Sequence, residues 1–293
     1  GHTTSLVDIS PYKHDGPGGT GTPNWVHKVP LPDRFRGKFR ADDTGQLYGE
    51  DAARLIHQVS RGKYPPAAFI AETLPSVGGQ IVPPLEYFAI VYEAIRQAGG
   101  IAIADEVQTG FGRLGTNFWA FEKYCVTPDI VVMGKPMGNG HPIAAVVTTR
   151  DVADPFDNGM EFFSTFGGNT VSCAVGLAVL DVIADEDLQC RALETGHVLQ
   201  AGFRALARKF PLIGDVRGSG LFWGLELVRD PETLEPAGVE ATLIANRLRD
   251  QGVLIGTDGP LHNVLKIRPP MPFNKENADY LVARLAHVLR TEF

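Results

Sequence analysis

Apolar residues in the middle of the chain come in short unbroken runs, each closed by a charged residue or a glycine. Residues 67–71 run apolar to Glu72, 101–104 to Asp105-Glu106, and 130–133 to Gly134-Lys135. A fourth run covers 144–147. Between the first two runs the rhythm changes. Leu85, Phe88, Ala89, Tyr92 and Ile95 recur at helical spacing, after Pro83-Pro84 and before Gly99-Gly100. Proline suits the first position of a helix and glycine its end, so a helix is predicted to open at the prolines and stop at the glycines. Strands without polar alternation, linked through helices, predict a parallel sheet buried on both faces. In such sheets ligands gather beyond the carboxyl ends of the strands. Glu72, Asp105 and Lys135 all stand at those ends.

The last hundred residues read differently. One helical stretch runs from 169 to about 184 and a second to about 210. Then come VRGSGLFWGLELV, a helix-like segment near 241–249, and the short strands VLIG and VLKIR. A closing helix starts at Asn274 and carries Ala278, Leu281, Val282, Leu285, Val288 and Leu289 on one stripe. This predicts a large domain over 1–186 and a smaller α+β domain over 187–293. Residues 14–24, HDGPGGTGTPN, are rich in Gly and Pro and predict a loop.

Composition narrows the partners. The 293 residues carry 27 Lys and Arg against 34 Asp and Glu, a net charge of −7, and the basic residues are scattered. That argues against nucleic acid or an anionic membrane as the main partner. No apolar run reaches the length of a transmembrane helix. The start, GHTTSLVDISPYK, does not have the form of a signal peptide. Cys125, Cys173 and Cys190 have no metal-ligand spacing, and three cysteines cannot all pair with one another, so a reducing cytoplasm is the expected setting.

The strand ends hold the candidate chemistry. A carboxylate at the end of a buried strand is costly without a cationic partner. For Asp105 that partner could be a pyridinium, while a helix cap or a structural ion pair serves as well. Lys135 sits among glycines in MGKPMGNGHP, which leaves room for a bulky cofactor, although a lone lysine in a turn is more often a surface residue. No GxxxxGK[ST] is present, so a P-loop is excluded.

Three long segments settle between these readings. ADEVQTGFGRLG, PDIVVMGKPMGNGHPIAAVVTT and FFSTFGGNTVSCAVGLAVL, in this order and spacing, resemble the class III aminotransferases, which use pyridoxal 5′-phosphate (PLP). The resemblance runs from His2 to the C-terminus. It implies an α/β fold of the PLP-dependent transferase type I, with a mainly parallel sheet in the large domain and a smaller α+β domain. By position, Lys135 resembles the lysine that binds the cofactor covalently, and Asp105 the partner of the pyridine nitrogen. Val107 resembles the residue against the ring face, Gln108 the one near the ring hydroxyl, and Glu72 the glutamate behind the cofactor. Thr165 resembles the threonine that reaches the PLP phosphate of a neighbouring subunit, which implies a homodimer or larger assembly with a shared site. The family's phosphate loop and its tyrosine–histidine–glycine motif are expected to lie before this sequence, with Gly1-His2 resembling the end of that motif.

The substrate end departs from the family. Where aminotransferases carry an arginine for an α-carboxylate, VLKIRPPM has Lys266, with Arg268 two residues on. Where many members carry a glutamate five residues after Glu72, this chain has Val77. Lysine cannot reproduce the planar fork of arginine and acts as a point charge, which suits a phosphate. DISPYK, GKPMGNGHP, TDGP and VLKIRPPM resemble the branch of phospholyases acting on ethanolamine phosphate and phosphohydroxylysine. That resemblance implies a small phosphorylated amine as substrate, with Lys266 and Arg268 binding it. It implies that Lys135 removes a proton from the amine-bearing carbon and that phosphate leaves the next one. An ω-amine or alanine–glyoxylate type aminotransferase is the alternative. A fragment with only a structural role is a second one. No metal is expected.

Overall fold

The computed structural model describes residues 3–40 and 43–293, so the Gly1-His2 expectation lies outside the described residues. Two short helices, α1 (Thr4–Asp8) and α2 (Pro11–His14), precede an extended segment that contains the expected Gly/Pro loop. Helix α3 (Thr44–Ser60) leads into strand β1 (Ala68–Glu72), helix α4 (Tyr87–Gln97), and strands β2 (Ile101–Asp105), β3 (Ile130–Met133) and β4 (Ala145–Thr148). The sheet order is β1-β2-β3-β4. The first three strands are parallel, and Glu72 pairs in register with Asp105, which pairs with Val132. Three strand ends are thereby brought side by side, each delivering its polar residue to one edge.

Two details differ from the sequence reading. Strand β4 runs antiparallel to β3, so the sheet is mixed. It is also not covered on both faces, since Val146 and Val147 are exposed. Helix α4 begins three residues after Pro84, and its buried stripe is Tyr87, Phe88, Val91, Tyr92, Ala94 and Ile95. Leu85 and Ala89 face outward instead. The prolines form the turn into the helix, with the Pro84 carbonyl accepting from the Tyr87 N–H.

Helix α5 (Arg150–Ala153) is one turn long and is followed by an exposed stretch up to α6 (Thr170–Asp185). Asn169 caps α6, its side chain accepting from the Ser172 N–H at 3.0 Å. A left-handed Asp187 (φ 49°) separates α6 from α7 (Leu188–Ala207). The hairpin of β5 (Ile213–Ser219) and β6 (Phe222–Asp230) follows. After it come β7 (Glu235–Pro236), α8 (Gly238–Asp250), β8 (Gly256–Asp258), β9 (Val264–Ile267) and α9 (Lys275–Glu292). The second sheet has the order β5-β6-β9-β8, wholly antiparallel. VLIG is a strand only from its last residue, where β8 begins. The α9 stripe is as expected: Ala278, Leu281, Leu285, Val288 and Leu289 are buried, with Val282 partly so. Asn274 and Asn277 cap each other reciprocally at its start.

The two sheets meet near the site. Gly220, in the β5–β6 turn, has φ 53°, and a side chain there would lie 2.4 Å from the Leu114 backbone. Only glycine meets both demands, the left-handed backbone and the close approach. A buried ion network ties the second sheet to the start of the chain. Glu226 on β6 takes Arg36 on one oxygen (2.6 Å) and Arg217 on the other (2.7 Å). Burial alone would raise the Glu226 pKa, but the two arginines outweigh it and hold it below the usual range. Arg217 also donates to the Gly79 carbonyl, so the loop after β1 is tied to β5.

Candidate active site

The carboxyl edge of the parallel strands gathers Glu72, Asp105 and Lys135. Lys135 opens a single 3₁₀ turn, Lys135–Gly138, just past β3. Its backbone is left-handed, φ 37°, an unusual conformation for a side-chain-bearing residue and one that concentrates at functional sites. Asp105 ends β2, and its Oδ1 accepts from the Val107 N–H at 3.0 Å. Glu72 ends β1, where Oε1 accepts from the Gln108 side chain at 2.6 Å and Oε2 from the Ser76 N–H at 3.0 Å. Burial pushes the Glu72 pKa up, and the nearby Asp105 charge adds to that.

Gln108 links two segments far apart in sequence. Its amide nitrogen donates to Glu72, and its carbonyl accepts from Arg268. A cation–amide–carboxylate relay thus joins the end of β9 to the end of β1. Arg268 lies one residue beyond β9, and its buried Nε has no partner among the described residues.

Lys266 is placed differently. Its neighbours across the sheet are Gly224 and Gly256, and neither carries a side chain. Its ammonium is held at 2.5 Å by Asp258 Oδ2, which also accepts from the Gln80 side chain at 3.1 Å. Lys266 is therefore engaged in an ion pair, which the residue pattern did not disclose.

Electrostatics set the state of Lys135. Burial lowers its pKa, Arg268 lowers it further, and Lys266 contributes in the same direction; Glu72 and Asp105 oppose. The net displacement is downward, so the neutral, nucleophilic amine forms at lower pH than for a free lysine side chain, whose pKa is about 10.4. Arg268→Ala removes a repulsive charge and admits water. The pH midpoint for aldehyde capture by the cofactor-free protein should then move upward. A midpoint that stays or falls contradicts this account.

These groups suit PLP. Lys135 supplies an amine of lowered pKa, and Asp105 a strand-end carboxylate with Oδ2 free of protein donors among the described residues. The Val107 side chain lies near Gly134, offering an apolar surface beside Lys135. Thr165 stands apart, in an exposed segment where Phe162, Phe163 and Phe166 are also exposed. Two further polar groups, Arg113 and Glu106, were not singled out from the sequence. Arg113 donates from one nitrogen to the carbonyls of Leu221 and Pro269, which fixes the residue after Arg268. Burial and the Arg268 charge lower its pKa to about 10. Only the Asp-Glu dipeptide at 105–106 hinted at Glu106.

Known proteins place the chain. The family model described as "Aminotransferase class-III" matches residues 3–289. A Drosophila melanogaster protein named alanine–glyoxylate aminotransferase 2-like is 49% identical over 95% of this chain and 58% of its own length. Ethanolamine-phosphate phospho-lyase homolog 1 of Caenorhabditis elegans is 43% identical over 99% of this chain and 65% of its own length. The chain thus spans about three-fifths of these relatives. A solved Arthrobacter phospholyase in complex with phosphoethanolamine superposes with a TM-score of 0.90, at 37% identity, covering 99% of this chain and 68% of that one. Class III aminotransferases and their phospholyases are PLP-dependent. Fold, strand-end chemistry and kinship agree, and the chain belongs to the class III aminotransferase family.

Proposed function

We propose that this chain is part of a PLP-dependent phospholyase that removes phosphate from a phosphorylated primary amine such as O-phosphoethanolamine. One observation carries the reading. At the position where the family resemblance expects a carboxylate-binding arginine, the chain has Lys266, held by Asp258 at 2.5 Å. A paired lysine offers no fork to an α-carboxylate. The kinship with the phosphoethanolamine-bound Arthrobacter enzyme supports the same reading.

PLP, when bound, supplies an electron sink for the carbon next to the substrate nitrogen. Asp105 would hold negative charge for the ring nitrogen, and Lys135 would hold the cofactor until the substrate amine takes its place. The freed, neutral Lys135 amine would then take the proton from the amine-bearing carbon. The C–H electron pair becomes a carbon–carbon double bond, and the C–O pair leaves with phosphate. Water converts the remaining product to an aldehyde and ammonia. Arg268 and Lys266 both act electrostatically at Lys135, and their positive charge would favour the departing anion there.

A homodimer belongs to the same proposal. Phe162, Phe163 and Phe166 are exposed beside Thr165, and Val171 and Leu177 are exposed on α6. Exposed apolar surface of this kind suits burial against a second copy, with Thr165 reaching the cofactor phosphate there.

The test is phosphate release from O-phosphoethanolamine by the full-length enzyme without a keto acid. Release is expected. Arg268→Ala should lower kcat/KM by about tenfold or more, the scale of a lost hydrogen bond to a charged group. Lys266→Ala should lower kcat as well as weaken binding, because the anion leaves in the chemical step. If the wild type releases no phosphate while consuming an amine with a keto acid, the aminotransferase alternative takes its place. The 49% identity to the Drosophila relative named for that activity keeps it in view.

A further inference from the structure

We propose that Glu106 is a positioning residue that sets Asp105, Gln108 and Glu72 in place from behind the site. Its side chain is fully buried and pairs with no cation among the described residues. Both oxygens are instead saturated by neutral donors. Oε1 accepts from the Thr73 hydroxyl at 2.7 Å and the Phe121 N–H at 3.0 Å. Oε2 accepts from the Thr109 hydroxyl at 2.6 Å and the Ala120 N–H at 3.1 Å.

The identity of these donors carries the inference. Thr73 follows Glu72, Thr109 follows Gln108, and Glu106 itself follows Asp105. One carboxylate, itself next to Asp105, therefore joins the residues that follow Glu72 and Gln108, tying the end of β1 to the turn after β2. The backbone continues the same registration: the Thr73 N–H donates to the Asp105 carbonyl, and the Glu106 N–H to the Val132 carbonyl at 2.9 Å. Movement of Glu106 would shift the ends of β1 and β2 and the turn bearing Gln108 together.

Four donors offset part of the cost of burying the charge. A carboxylate is the group that fits, because Phe121 and Ala120 offer backbone N–H donors to opposite oxygens. A glutamine at this place, whichever way it is turned, sets its NH₂ against one of those N–H groups. Glu106→Gln therefore threatens folding, and the sharper test lies in the threonines.

The experiment uses full-length, PLP-loaded enzyme carrying Thr73→Val, Thr109→Val, Thr73→Ser or Thr109→Ser. Measured are kcat, cofactor retention on dilution, and the pH midpoint of the absorbance band of the lysine-bound cofactor. The valine variants should lower kcat by about tenfold to a hundredfold, the scale of a small misplacement of catalytic groups. They should also weaken cofactor retention and move the midpoint. The serine variants, which keep the hydroxyl, should return all three towards wild type. The inference rests on Asp105 as the partner of the ring nitrogen, so Asp105→Asn is run beside them. If Asp105→Asn moves the midpoint while the valine variants change only the melting temperature, Glu106 is a folding element and the inference alone falls. If Asp105→Asn leaves the midpoint unchanged, both assignments fall.

Discussion

Lys135→Ala should reduce turnover to background and leave a folded chain. The residue lies past the end of β3, outside the three apolar cores, and makes no hydrogen bond or ion pair with the described residues. No packing is lost on truncation. What is lost is the Lys135 amine beside Glu72 and Asp105, and with it, on the proposed function, both the anchor for the cofactor and the base that moves the substrate proton. Removal of a group that both binds and acts costs on the order of 10⁴ to 10⁶ in rate. Borohydride reduction of the loaded wild-type enzyme, followed by peptide mapping, should place the cofactor on Lys135. A label on another lysine would sink the site assignment, while a Lys135→Ala protein with an altered melting profile would show that the residue also holds the fold.

The strand ends were legible in the sequence because their cause is local. A parallel strand covered by helices needs an apolar run, and the polar residue that closes the run marks where it emerges. Glu72, Asp105 and Lys135 were found this way, before any family resemblance was applied. The α9 stripe was legible for a similar reason, since Ala278, Leu281 and Leu285 recur at a spacing only a helix can use. Local rules misled where a neighbour in space decided the outcome. Pro83-Pro84 has the form of a helix start, but it makes a turn that swings α4 round onto β1 and β2. The apolar run at 144–147 cannot reveal its direction, and the short connection from β3 returns it antiparallel.

Buried polar residues were the least legible. Nothing near Lys266 in sequence announces Asp258 as its partner, because β8 and β9 must pair before the two meet. Glu106 takes its donors from residues 73, 109, 120 and 121, a set that exists only after β1, β2 and the following loop have packed. Arg113 likewise reads as a loop arginine until the β5–β6 turn and Pro269 close over it. In each case the chemistry is decided by sequence-distant donors, whereas the apolar pattern is decided by the next few residues.

Asp105→Asn should lower the rate by at least about a hundredfold, the scale of a single electrostatic contact aimed at developing charge. The change is nearly isosteric. Asparagine Oδ1 can still accept from the Val107 N–H, as Asp105 does at 3.0 Å, so the turn after β2 should survive. The other side-chain atom changes from an acceptor to a donor. An NH₂ group there cannot accept the hydrogen bond of a pyridinium N–H, and it favours the neutral ring, which is a poorer acceptor of electrons. The loss of charge also reaches the neighbours. Asp105 raises the pKa of Lys135, so without it that lysine should lose its proton at still lower pH. Asp105 also raises the pKa of Glu72, so Glu72 should ionise more readily in the variant. The expected signature is therefore a lower kcat together with a downward shift in the pH midpoint for aldehyde capture by Lys135, at an unchanged melting temperature. A near-wild-type rate would make Asp105 a structural cap of the Val107 turn. A lower rate with an unmoved midpoint would show that its charge does not act on Lys135.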